Sequence, residues 1–367
     1  MCRGNLSIDW INHRCNIDSW KLNIVGNDNV NGRGLFLLVV IPCLNEENTV
    51  GWVVENIPTS IEGIEKIEVL VFDDGSTDGT VKQARAAGAE VVSHKTNQGL
   101  GTTFRDAVGV ALAKGADIMV HIDGDGQFEP ADIPLLVEPV VRHEAHMVTA
   151  SRFLQQALSP DMPLIKRLGN RGVAWIVWLL SGKRFHDVSC GFRVFSRETL
   201  LRMNLFGSFT YTQESFLDLL FKDLTIVEIP VKVRGVREFG TSRIASSIPR
   251  YAFQALKIML RAFISYRPFR LFFALSSIFV AIGIGLLAFL GWHYFETGAF
   301  SPHIWAGFVG GSFCFLGFST FFIGLIGDML VRIRMNQENI LYQLKCSRLE
   351  RKQITAREIP GTSNRAG

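Results

Sequence analysis

The sequence lacks any arrangement of cysteines that would form a disulfide framework or a zinc site. Its six cysteines are scattered along the 367 residues: Cys2, Cys15, Cys43, Cys190, Cys314 and Cys346. None belongs to a CxxC pair, so the spacing argues against a zinc knuckle and fits a reducing compartment. The N-terminus is polar and contains no apolar core segment, so no secretory signal is evident.

Two common nucleotide-binding motifs are missing as well. There is no GxxxxGK[ST] segment, which excludes a P-loop. Residues 99–101 begin like GxGxxG, but Phe104 stands at the third glycine position, and the segment follows the third predicted strand. A dinucleotide-binding fold is therefore not expected.

Charge is absent from two long segments near the C-terminus. Residues 271–295 and 304–327 contain no Asp, Glu, Lys or Arg. Each segment is long enough to cross a hydrocarbon core of about 30 Å. Two buried helices of a soluble protein are the alternative, but two adjacent uncharged segments of this length favour a transmembrane hairpin.

The charges that flank this hairpin predict its orientation. Residues 293–303, between the two spans, contain no Lys or Arg. Basic residues lie on both outer sides: Arg261, Arg267, Arg270, Arg332, Arg334 and Lys345. By the positive-inside rule, we expect both termini and the preceding domain on the cytoplasmic face of the cell (inner) membrane. Glycines in the second span allow close helix packing within one chain or between chains, which leaves a homo-oligomer open.

The chain divides into six predicted parts. Residues 248–265 have helical periodicity with a basic and polar stripe, which predicts a helix in the headgroup plane; a core helix with one wet face is the alternative. The tail from Arg348 is basic and polar, and we expect it to be mobile. The parts are a poorly ordered extension (1–34), an α/β domain (35–240), juxtamembrane amphipathic helices (241–270), the spans (271–295 and 304–327) and a basic cytoplasmic tail (328–367).

The N-terminal half alternates apolar runs with helical segments. Runs at 35–41, 67–72, 89–93 and 118–122 are typical of buried strands, and a helix is predicted after each of the first three. Strands at 147–150 and 226–231 and a helix at 164–180 are predicted further along the chain. This alternation indicates the α/β class, with a mostly parallel sheet and right-handed crossovers.

Polar clusters follow three of these runs, at 42–46, 73–78 and 123–127. In open α/β sheets, ligands bind outside the carboxyl ends of the strands. Because all three clusters occupy such ends, their convergence is a stronger indication of a binding site than any one cluster alone.

The cluster after the fourth run predicts a metal site. Asp123 and Asp125 lie two residues apart between glycines, so a loop can aim both carboxylates at one point. With Gln127 they offer hard oxygen ligands, which suit Mg²⁺ or Mn²⁺ better than zinc. An EF-hand is excluded because Phe128 and Pro134 stand where its loop needs Gly and Glu. A solvated Asp-Gly turn is the alternative.

The segments at 40–47, 73–80, 97–101 and 123–125 resemble those of family 2 glycosyltransferases in order and spacing. The resemblance implies the GT-A fold, a nucleotide-binding α/β domain that uses a divalent metal and a nucleotide sugar. The implied nucleotide-sugar-binding residues are Pro42, Leu44, Asn45, Glu46, Asp73, Asp74, Gly99, Gly101 and Asp123.

The same resemblance implies that Asp123, Asp125 and Gln127 hold the metal and the diphosphate. Leu44 stands where the family frequently has Tyr, which bears on stacking against the base.

The second half resembles one branch of that family, the polyprenyl-phosphate glycosyltransferases, which include dolichyl-phosphate mannose synthase and bacterial relatives. The resemblance covers 35–330 and is carried by residues 151–153, 187–193 and 237–243. The implied residues for an acceptor phosphate are Arg152, Arg167, Arg237, Ser242 and Arg243. Arg243 departs from the Lys that the family usually has there, which keeps the charge but changes the geometry of the donors.

The implied reaction moves a sugar from a nucleotide sugar to a polyprenyl phosphate at the membrane, by a single inverting displacement. Asp123, Asp125, Arg237 and Arg243 are the implied catalytic residues. No nucleic-acid partner is expected, and the sugar and the base stay open. The alternatives are a lipid acceptor without phosphate, a processive polysaccharide synthase, whose QxxRW signature this chain lacks, and an inactive nucleotide-binding membrane scaffold.

Overall fold

The computed structural model describes residues 34–155, 164–205, 211–234, 264 and 266–358. Over these residues the chain forms a seven-stranded sheet with helices, followed by two long helices. The predicted extension at 1–34 and the predicted interfacial helix at 248–265 lie outside the described residues, apart from Gly34 and Ile264.

The first half alternates strands and helices, as the sequence predicts. In chain order the elements are β1 (Leu35–Cys43), α1 (Val50–Glu55), β2 (Ile64–Asp73), α2 (Thr80–Ala86), β3 (Glu90–Ser93), α3 (Leu100–Lys114) and β4 (Ile118–His121). β1 pairs in parallel with β2 and β4, and β2 pairs in parallel with β3. Residues 36–41 of β1 are all buried, because both faces of the strand are covered, and this explains the unbroken apolar run.

The second half inserts an antiparallel strand that the sequence pattern does not reveal. After a 3₁₀ turn (Pro130–Asp132), the elements are α4 (Ile133–Val141), β5 (Met147–Ser151), α5 (Leu164–Ser181), β6 (Arg193–Ser196), α6 (Arg197–Arg202), α7 (Thr212–Phe221) and β7 (Ile226–Pro230). β6 lies between β4 and β5 and runs antiparallel to both. The strand order is β3-β2-β1-β4-β6-β5-β7, so the sheet is mixed but mostly parallel.

The two C-terminal helices pack against each other as an antiparallel hairpin. They are α8 (Pro268–Thr297) and α9 (Ile304–Glu358). Glycines let the helices approach closely: a Cβ added at Gly283 would lie 2.8 Å from the Gly310 carbonyl oxygen. Closer to the start of α8, the Ser276 hydroxyl donates a hydrogen bond of 2.8 Å to the Gly317 carbonyl oxygen. Small residues therefore form the seam within one chain, as small-residue packing between membrane helices requires.

The surfaces of these helices are apolar and exposed. Their most apolar windows have mean hydropathies of 2.5 and 1.9, and only 11% and 17% of those windows are buried. Phe295, Phe308 and Phe315 are 93%, 76% and 75% exposed. A core helix of a soluble protein would bury such side chains, so both helices fit a lipid environment and the chain is a membrane protein.

The second of these helices does not end at the membrane boundary predicted at residue 327. It continues to Glu358, so residues 348–358, where the sequence predicts a mobile tail, are helical. We refer to residues 328–358 as the arm. Tyr342, Cys346 and Leu349 of the arm pack against the hydrophobic core beside the sheet. This burial, which the polar composition of the segment hides, joins the hairpin to the α/β domain.

A polar network fixes the start of the arm to α7. Lys222 Nζ lies 2.8 Å from Asp218 Oδ1 and 3.3 Å from Glu338 Oε2. The Tyr266 hydroxyl donates to Asp218 Oδ1 (2.5 Å) and accepts from Arg334 Nη2 (2.8 Å). Arg334 Nε also donates to Glu338 Oε1 at 2.8 Å. Three parts of the chain thus meet: the C-terminal end of α7, Tyr266 shortly before α8, and the arm.

We expect Lys345→Ala to weaken the attachment of the arm. The Lys345 ammonium donates to the carbonyl oxygens of Leu201 and Met203 (3.1 and 3.2 Å) and to Asn204 Oδ1 (3.2 Å), at the end of α6. Leaving these acceptors without a donor costs about 1–3 kcal/mol. The apparent melting temperature of the purified protein in detergent should fall by several degrees.

Arg348→Ala is the matched control, because Arg348 is an exposed basic residue on the same helix. Equal melting temperatures for the two variants would show that the contacts of Lys345 do not hold the arm.

Candidate active site

Three polar clusters meet at one edge of the sheet, where β1, β2 and β4 end. The Asp74 main-chain N–H donates to the Cys43 carbonyl oxygen at 2.9 Å, which joins the ends of β1 and β2. The Thr49 hydroxyl donates to the Gly124 carbonyl oxygen at 2.7 Å, which joins the loops after β1 and β4. A Cβ added at Gly124 would lie only 2.5 Å from Cys43 Sγ, so this loop approaches β1 closely.

The thiol of Cys43 reports how much negative charge collects there. Its pKa is raised well above the usual value, first by burial and then by four carboxylates: Glu46, Asp73, Asp123 and Asp125. These carboxylates come from all three predicted clusters. The convergence that the sequence predicts is therefore present, and it concentrates negative charge around the end of β1.

The loop after β1 is locked to the loop after β2 through Asn45. This residue has a φ of 55°, a left-handed conformation that Asn tolerates better than most side chains. Its main-chain N–H donates to Ser76 Oγ, and its side-chain oxygen accepts from the Thr77 N–H, both at 2.8 Å. Beside it, the Glu46 N–H donates to Thr80 Oγ1 at 2.8 Å. Asn45 thus holds the two loops together.

Asp74 joins the second cluster to residues 97–101. The carboxylate is almost buried and accepts from the main-chain N–H groups of Gln98 (2.8 Å) and Gly99 (2.9 Å). Gly99 has a φ of 87°, which favours glycine, and it directly precedes α3, where Gly101 is buried in the first turn. Asp73 is also buried and accepts from the Ser76 N–H at 3.0 Å.

Pro42 and Leu44 are half-buried at the end of β1. They lie beside the two loops, at the edge where the family resemblance implies a nucleoside.

The acidic loop after β4 is braced from two sides. The Asp125 side chain is 5% exposed, and its Oδ1 accepts from the Gln127 N–H at 3.0 Å. Gln127 in turn exchanges hydrogen bonds with Arg234: its Nε2 donates to the Arg234 carbonyl oxygen (3.1 Å), and its own carbonyl oxygen accepts from the Arg234 N–H (3.0 Å). The Arg234 guanidinium lies 5.1 Å from the centre of the Trp52 ring. No motif in the sequence points to Arg234 or Trp52.

Glycine at position 191 lets a neighbouring segment touch Asp123. A Cβ added there would lie 2.7 Å and 3.1 Å from the two carboxylate oxygens of Asp123. The Tyr211 hydroxyl donates to the Gly191 carbonyl oxygen at 3.0 Å and lies 2.9 Å from His121 Nδ1. Burial lowers the pKa of His121 to about 3, so this histidine is neutral at physiological pH. His121 and Tyr211 position this contact, and sequence reasoning missed both, since their side chains resemble ordinary core residues.

A buried guanidinium holds the same segment to α7. The Arg193 side chain is fully buried and donates to the carbonyl oxygens of Val188, Cys190 and Thr212, at 3.0, 2.9 and 2.8 Å. It also donates to Ser215 Oγ at 2.8 Å. Because these acceptors satisfy four of its hydrogen bonds, Arg193 acts as a structural clamp inside the domain.

Of the five residues predicted to bind the acceptor phosphate, the structure describes two, Arg152 and Arg167. Arg152 pairs with the fully buried Asp187: its Nε donates to Oδ2 at 2.6 Å and its Nη2 to Oδ1 at 3.0 Å. Arg167 lies in α5, and over the described residues its buried Nε has no hydrogen-bond partner. Arg237, Ser242 and Arg243 lie outside the described residues. Segment 187–191 therefore touches Arg152 at one end and Asp123 at the other.

The donor set fits a hard divalent cation shared with a substrate. Over the described residues, no three His, Cys, Asp or Glu side chains form a ready-made metal cage. Two carboxylates on one glycine-flanked loop, with more carboxylates nearby, are what Mg²⁺ or Mn²⁺ uses when substrate phosphates complete its coordination. Zinc sites rely mainly on histidine nitrogen and cysteine sulfur, and over the described residues no cluster of three such ligands or carboxylates is present.

Comparison with known proteins identifies the class. Residues 38–203 match the family model described as "Glycosyl transferase family 2". An uncharacterized protein of Methanocaldococcus jannaschii is 32% identical over 230 residues, which cover 62% of this chain and 93% of that protein. The chain therefore belongs to glycosyl transferase family 2 and is a glycosyltransferase, as its motifs predict.

Two further relatives act on lipid-linked phosphates. A UDP-N-acetylglucosamine–dolichyl-phosphate N-acetylglucosaminyltransferase of Methanococcus voltae is 29% identical over 216 residues, or 53% of this chain and 84% of that protein. An undecaprenyl-phosphate mannosyltransferase of Micrococcus luteus is 26% identical over 225 residues, or 58% and 88%. The predicted resemblance to the polyprenyl-phosphate branch is confirmed.

A solved structure confirms the fold. Glucosyl-3-phosphoglycerate synthase of Mycobacterium tuberculosis, crystallised with Mn²⁺, UDP-glucose and phosphoglyceric acid, superposes with a TM-score of 0.50. The match has 24% identity and covers 63% of this chain and 80% of that chain. It supports the GT-A architecture predicted from the sequence.

We expect Gly191→Ala to impair sugar transfer. The new methyl group would clash with the Asp123 carboxylate. Because the φ of Gly191 lies outside the left-handed region, alanine adds this steric clash without backbone strain. Displacing a group that braces an active-site carboxylate typically costs about 10- to 100-fold in activity. The measurement is the rate of nucleoside diphosphate release from a nucleotide sugar in the presence of acceptor.

Gly109→Ala is the control, because a Cβ at Gly109 of α3 would meet nothing within 4 Å. Wild-type activity in Gly191→Ala would mean that the segment does not brace Asp123.

Proposed function

We propose that this chain transfers a sugar from a nucleotide sugar to a polyprenyl phosphate at a membrane surface. The observation that carries this function is a cluster of carboxylates at the sheet edge, in a domain joined by a helical arm to an apolar hairpin. The relatives from M. voltae and M. luteus, whose names specify dolichyl phosphate and undecaprenyl phosphate, support the acceptor class.

The donor would lie across the ends of β1 and β2. Asp74, together with Pro42, Leu44 and Glu46, would receive the nucleoside. Gly99 and Gly101 would let the main chain approach the nucleotide, as glycines do where a ligand contacts the backbone. Asn45 and Asp73 would act by holding the loops, a role that their hydrogen bonds with Ser76 support.

Asp123 and Asp125 would hold Mg²⁺ or Mn²⁺ against the diphosphate of the donor. The Gln127 side chain donates its N–H to Arg234, so its share in a metal site would come from the amide oxygen. A bound divalent cation supplies charge neutralisation for the departing nucleoside diphosphate. The chain itself orients the two carboxylates through the Gln127 N–H and through the Gly191 contact.

The acceptor phosphate would be received by arginines on the membrane side of the site. Asp187 holds the Arg152 guanidinium in one orientation through two hydrogen bonds, and Ser189 Oγ accepts a third at 3.2 Å. Arg167, Arg237, Ser242 and Arg243 would add positive charge and donors, which offset repulsion between the phosphates of donor and acceptor.

The reaction would be a single displacement with inversion at the anomeric carbon. A phosphate monoester oxygen is already anionic near neutral pH, so the acceptor needs no strong general base. The main contribution of the protein would be to place the two anionic substrates in line. The α/β domain and both termini would face the cytoplasm, where nucleotide sugars are found.

We expect Asp125→Asn to abolish transfer while the fold is retained. Asn keeps the Oδ1 acceptor for the Gln127 N–H but removes the negative charge, so the activity should fall by about two orders of magnitude or more. The assay incubates purified protein with undecaprenyl phosphate, Mg²⁺ and a panel of nucleotide sugars, and identifies the lipid product by mass. Excess chelator should remove the activity of the wild type.

Asp223→Asn is the matched control, because Asp223 is exposed at a turn with a φ of 57°, which Asn also adopts. Full activity of Asp125→Asn, or of the wild type in chelator, would exclude the metal role. A sugar on diacylglycerol, or a polymer, would replace the proposed acceptor by one of the alternatives.

We expect Arg243→Ala to raise the KM for the lipid phosphate by about tenfold, with a smaller effect on the KM for the donor, because a charged hydrogen bond to phosphate is lost. Arg142→Ala, which removes an exposed guanidinium directly after α4, is the control. An unchanged KM for the lipid would remove Arg243 from the acceptor site.

A further inference from the structure

His94 lies between two carboxylates at the nucleoside end of the site. Its Nδ1 is 2.8 Å from Asp74 Oδ1, and its Nε2 is 3.1 Å from Asp106 Oδ2. The residue follows β3, and its N–H donates to the Asp73 carbonyl oxygen at 2.9 Å. The Phe72 ring packs edge-on against the imidazole, with 5.1 Å between ring centres. The ring is therefore fixed by contacts on its faces and at both nitrogens.

This geometry requires the imidazolium form. Ionised carboxylates only accept hydrogen bonds, and a neutral imidazole has one N–H, so it can serve only one of the two. The charged groups that face the ring are Asp74, from the end of β2, and Asp106, from α3. Burial alone would lower the pKa of His94, but the hydrogen bonds to the two carboxylates outweigh burial and raise the pKa above its ordinary value.

His94 affects the site through its hydrogen bond to Asp74. Its Oδ1 accepts from His94 Nδ1 and the Gln98 N–H, and its Oδ2 accepts from the Gly99 N–H. A carboxylate has about four acceptor positions, so donors among the described residues use three, and one remains on Oδ2. The three donors fix the plane of the carboxylate and thereby the direction in which the remaining position points.

The two backbone donors cannot fix this direction alone. Both belong to the loop at 97–99, which lies on one side of Asp74, whereas His94 belongs to the end of β3. Without the imidazolium, the hydrogen bonds that orient the Asp74 carboxylate within the described residues would come from that loop alone, so its orientation would follow the loop. The side chain of His94 thus connects the orientation of Asp74 to the sheet.

We propose that the imidazolium of His94 is a positioning residue for donor binding, which holds the Asp74 carboxylate in the orientation that receives a ring N–H of the nucleobase. This role presupposes the proposed nucleotide-sugar transfer. His94 does not contact the reacting atoms, so it acts on donor affinity and not on the chemical step.

The direction of the pH effect follows from the raised pKa. Below this pKa the imidazolium donates hydrogen bonds to both Asp74 and Asp106, and the affinity for the nucleotide sugar is high. As the pH rises through the pKa, His94 loses its charge and one N–H, so its hydrogen bond to Asp74 is either weakened to a neutral one or given up for Asp106, and donor affinity falls. The loss of one charged hydrogen bond corresponds to a decrease of about tenfold in affinity.

The test is donor binding to the full-length protein between pH 5.5 and 8.5, with Mn²⁺ present. UDP-glucose and GDP-mannose are the probes, because their diphosphates are diesters and do not titrate in this range. In His94→Gln we expect weaker binding at low pH, a flat pH profile, and convergence with the wild type at high pH. The kcat at saturating donor should be unchanged.

Asp106→Asn makes the test specific. Removing this exposed carboxylate deletes one of the two interactions that raise the His94 pKa, so the fall in affinity should move to lower pH while the affinity at low pH is kept. His143→Asn removes an exposed imidazole from a turn with a φ of 57° and should leave the profile as in the wild type.

Each measurement distinguishes the role of His94 from the proposed function. A pH-independent affinity in the wild type, an unchanged profile in His94→Gln, or an unmoved transition in Asp106→Asn would overturn the role of His94 and leave the proposed function standing. Failure of the wild type to bind either donor would overturn both.

Discussion

The concentration of negative charge at the carboxyl end of β1 is the constraint on which the rest of the structure depends. Carboxylates from three loops approach one buried thiol, whose pKa they raise together with burial. Such a cluster is costly unless hydrogen bonds and cations compensate it. The chain supplies backbone N–H groups to Asp73, Asp74 and Asp125. A substrate-bound divalent cation would supply the remaining compensation, which explains why two anionic substrates could meet there.

Much of this edge was predictable from the sequence, because parallel strands have a simple pattern. The fully buried run from Phe36 to Ile41 marks β1, and the polar residues after each run mark the carboxyl ends. Asp123 and Asp125 follow β4, and because β4 pairs in parallel with β1, they lie at the same edge of the sheet. The family motifs lead to the same edge and add the class of reaction.

Other parts of the site were not predictable, because nothing in the sequence distinguishes these residues from ordinary core residues. β6 begins with Arg193, whose guanidinium is buried only because carbonyl oxygens surround it in the fold. His121 and Tyr211 act through a contact with Gly191, which lies far away in sequence. The side-chain oxygen of Asn45, a residue predicted to bind the donor, accepts a hydrogen bond from the neighbouring loop. These roles come from tertiary contacts, which no local pattern encodes.

The arm connects the domain that contains the site to the apolar hairpin. Its composition is polar, so the sequence suggests a tail, yet Tyr342 and Leu349 are packed on the core, and Lys345 serves the end of α6. α9 thus runs without a break from the apolar hairpin to the domain that holds the carboxylates. A lipid phosphate bound beside the hairpin would meet a domain whose position is fixed by this helix.

The most direct measurement is anomalous diffraction from crystals of the protein with Mn²⁺ and a nucleotide sugar. We expect one strong manganese peak between the Asp123–Asp125 loop and the donor diphosphate, at about 2.0–2.2 Å from the carboxylate oxygens. A donor bound at the sheet edge with no manganese at this loop, or a diphosphate bound elsewhere, would contradict a cation held by these carboxylates as the basis of the reaction.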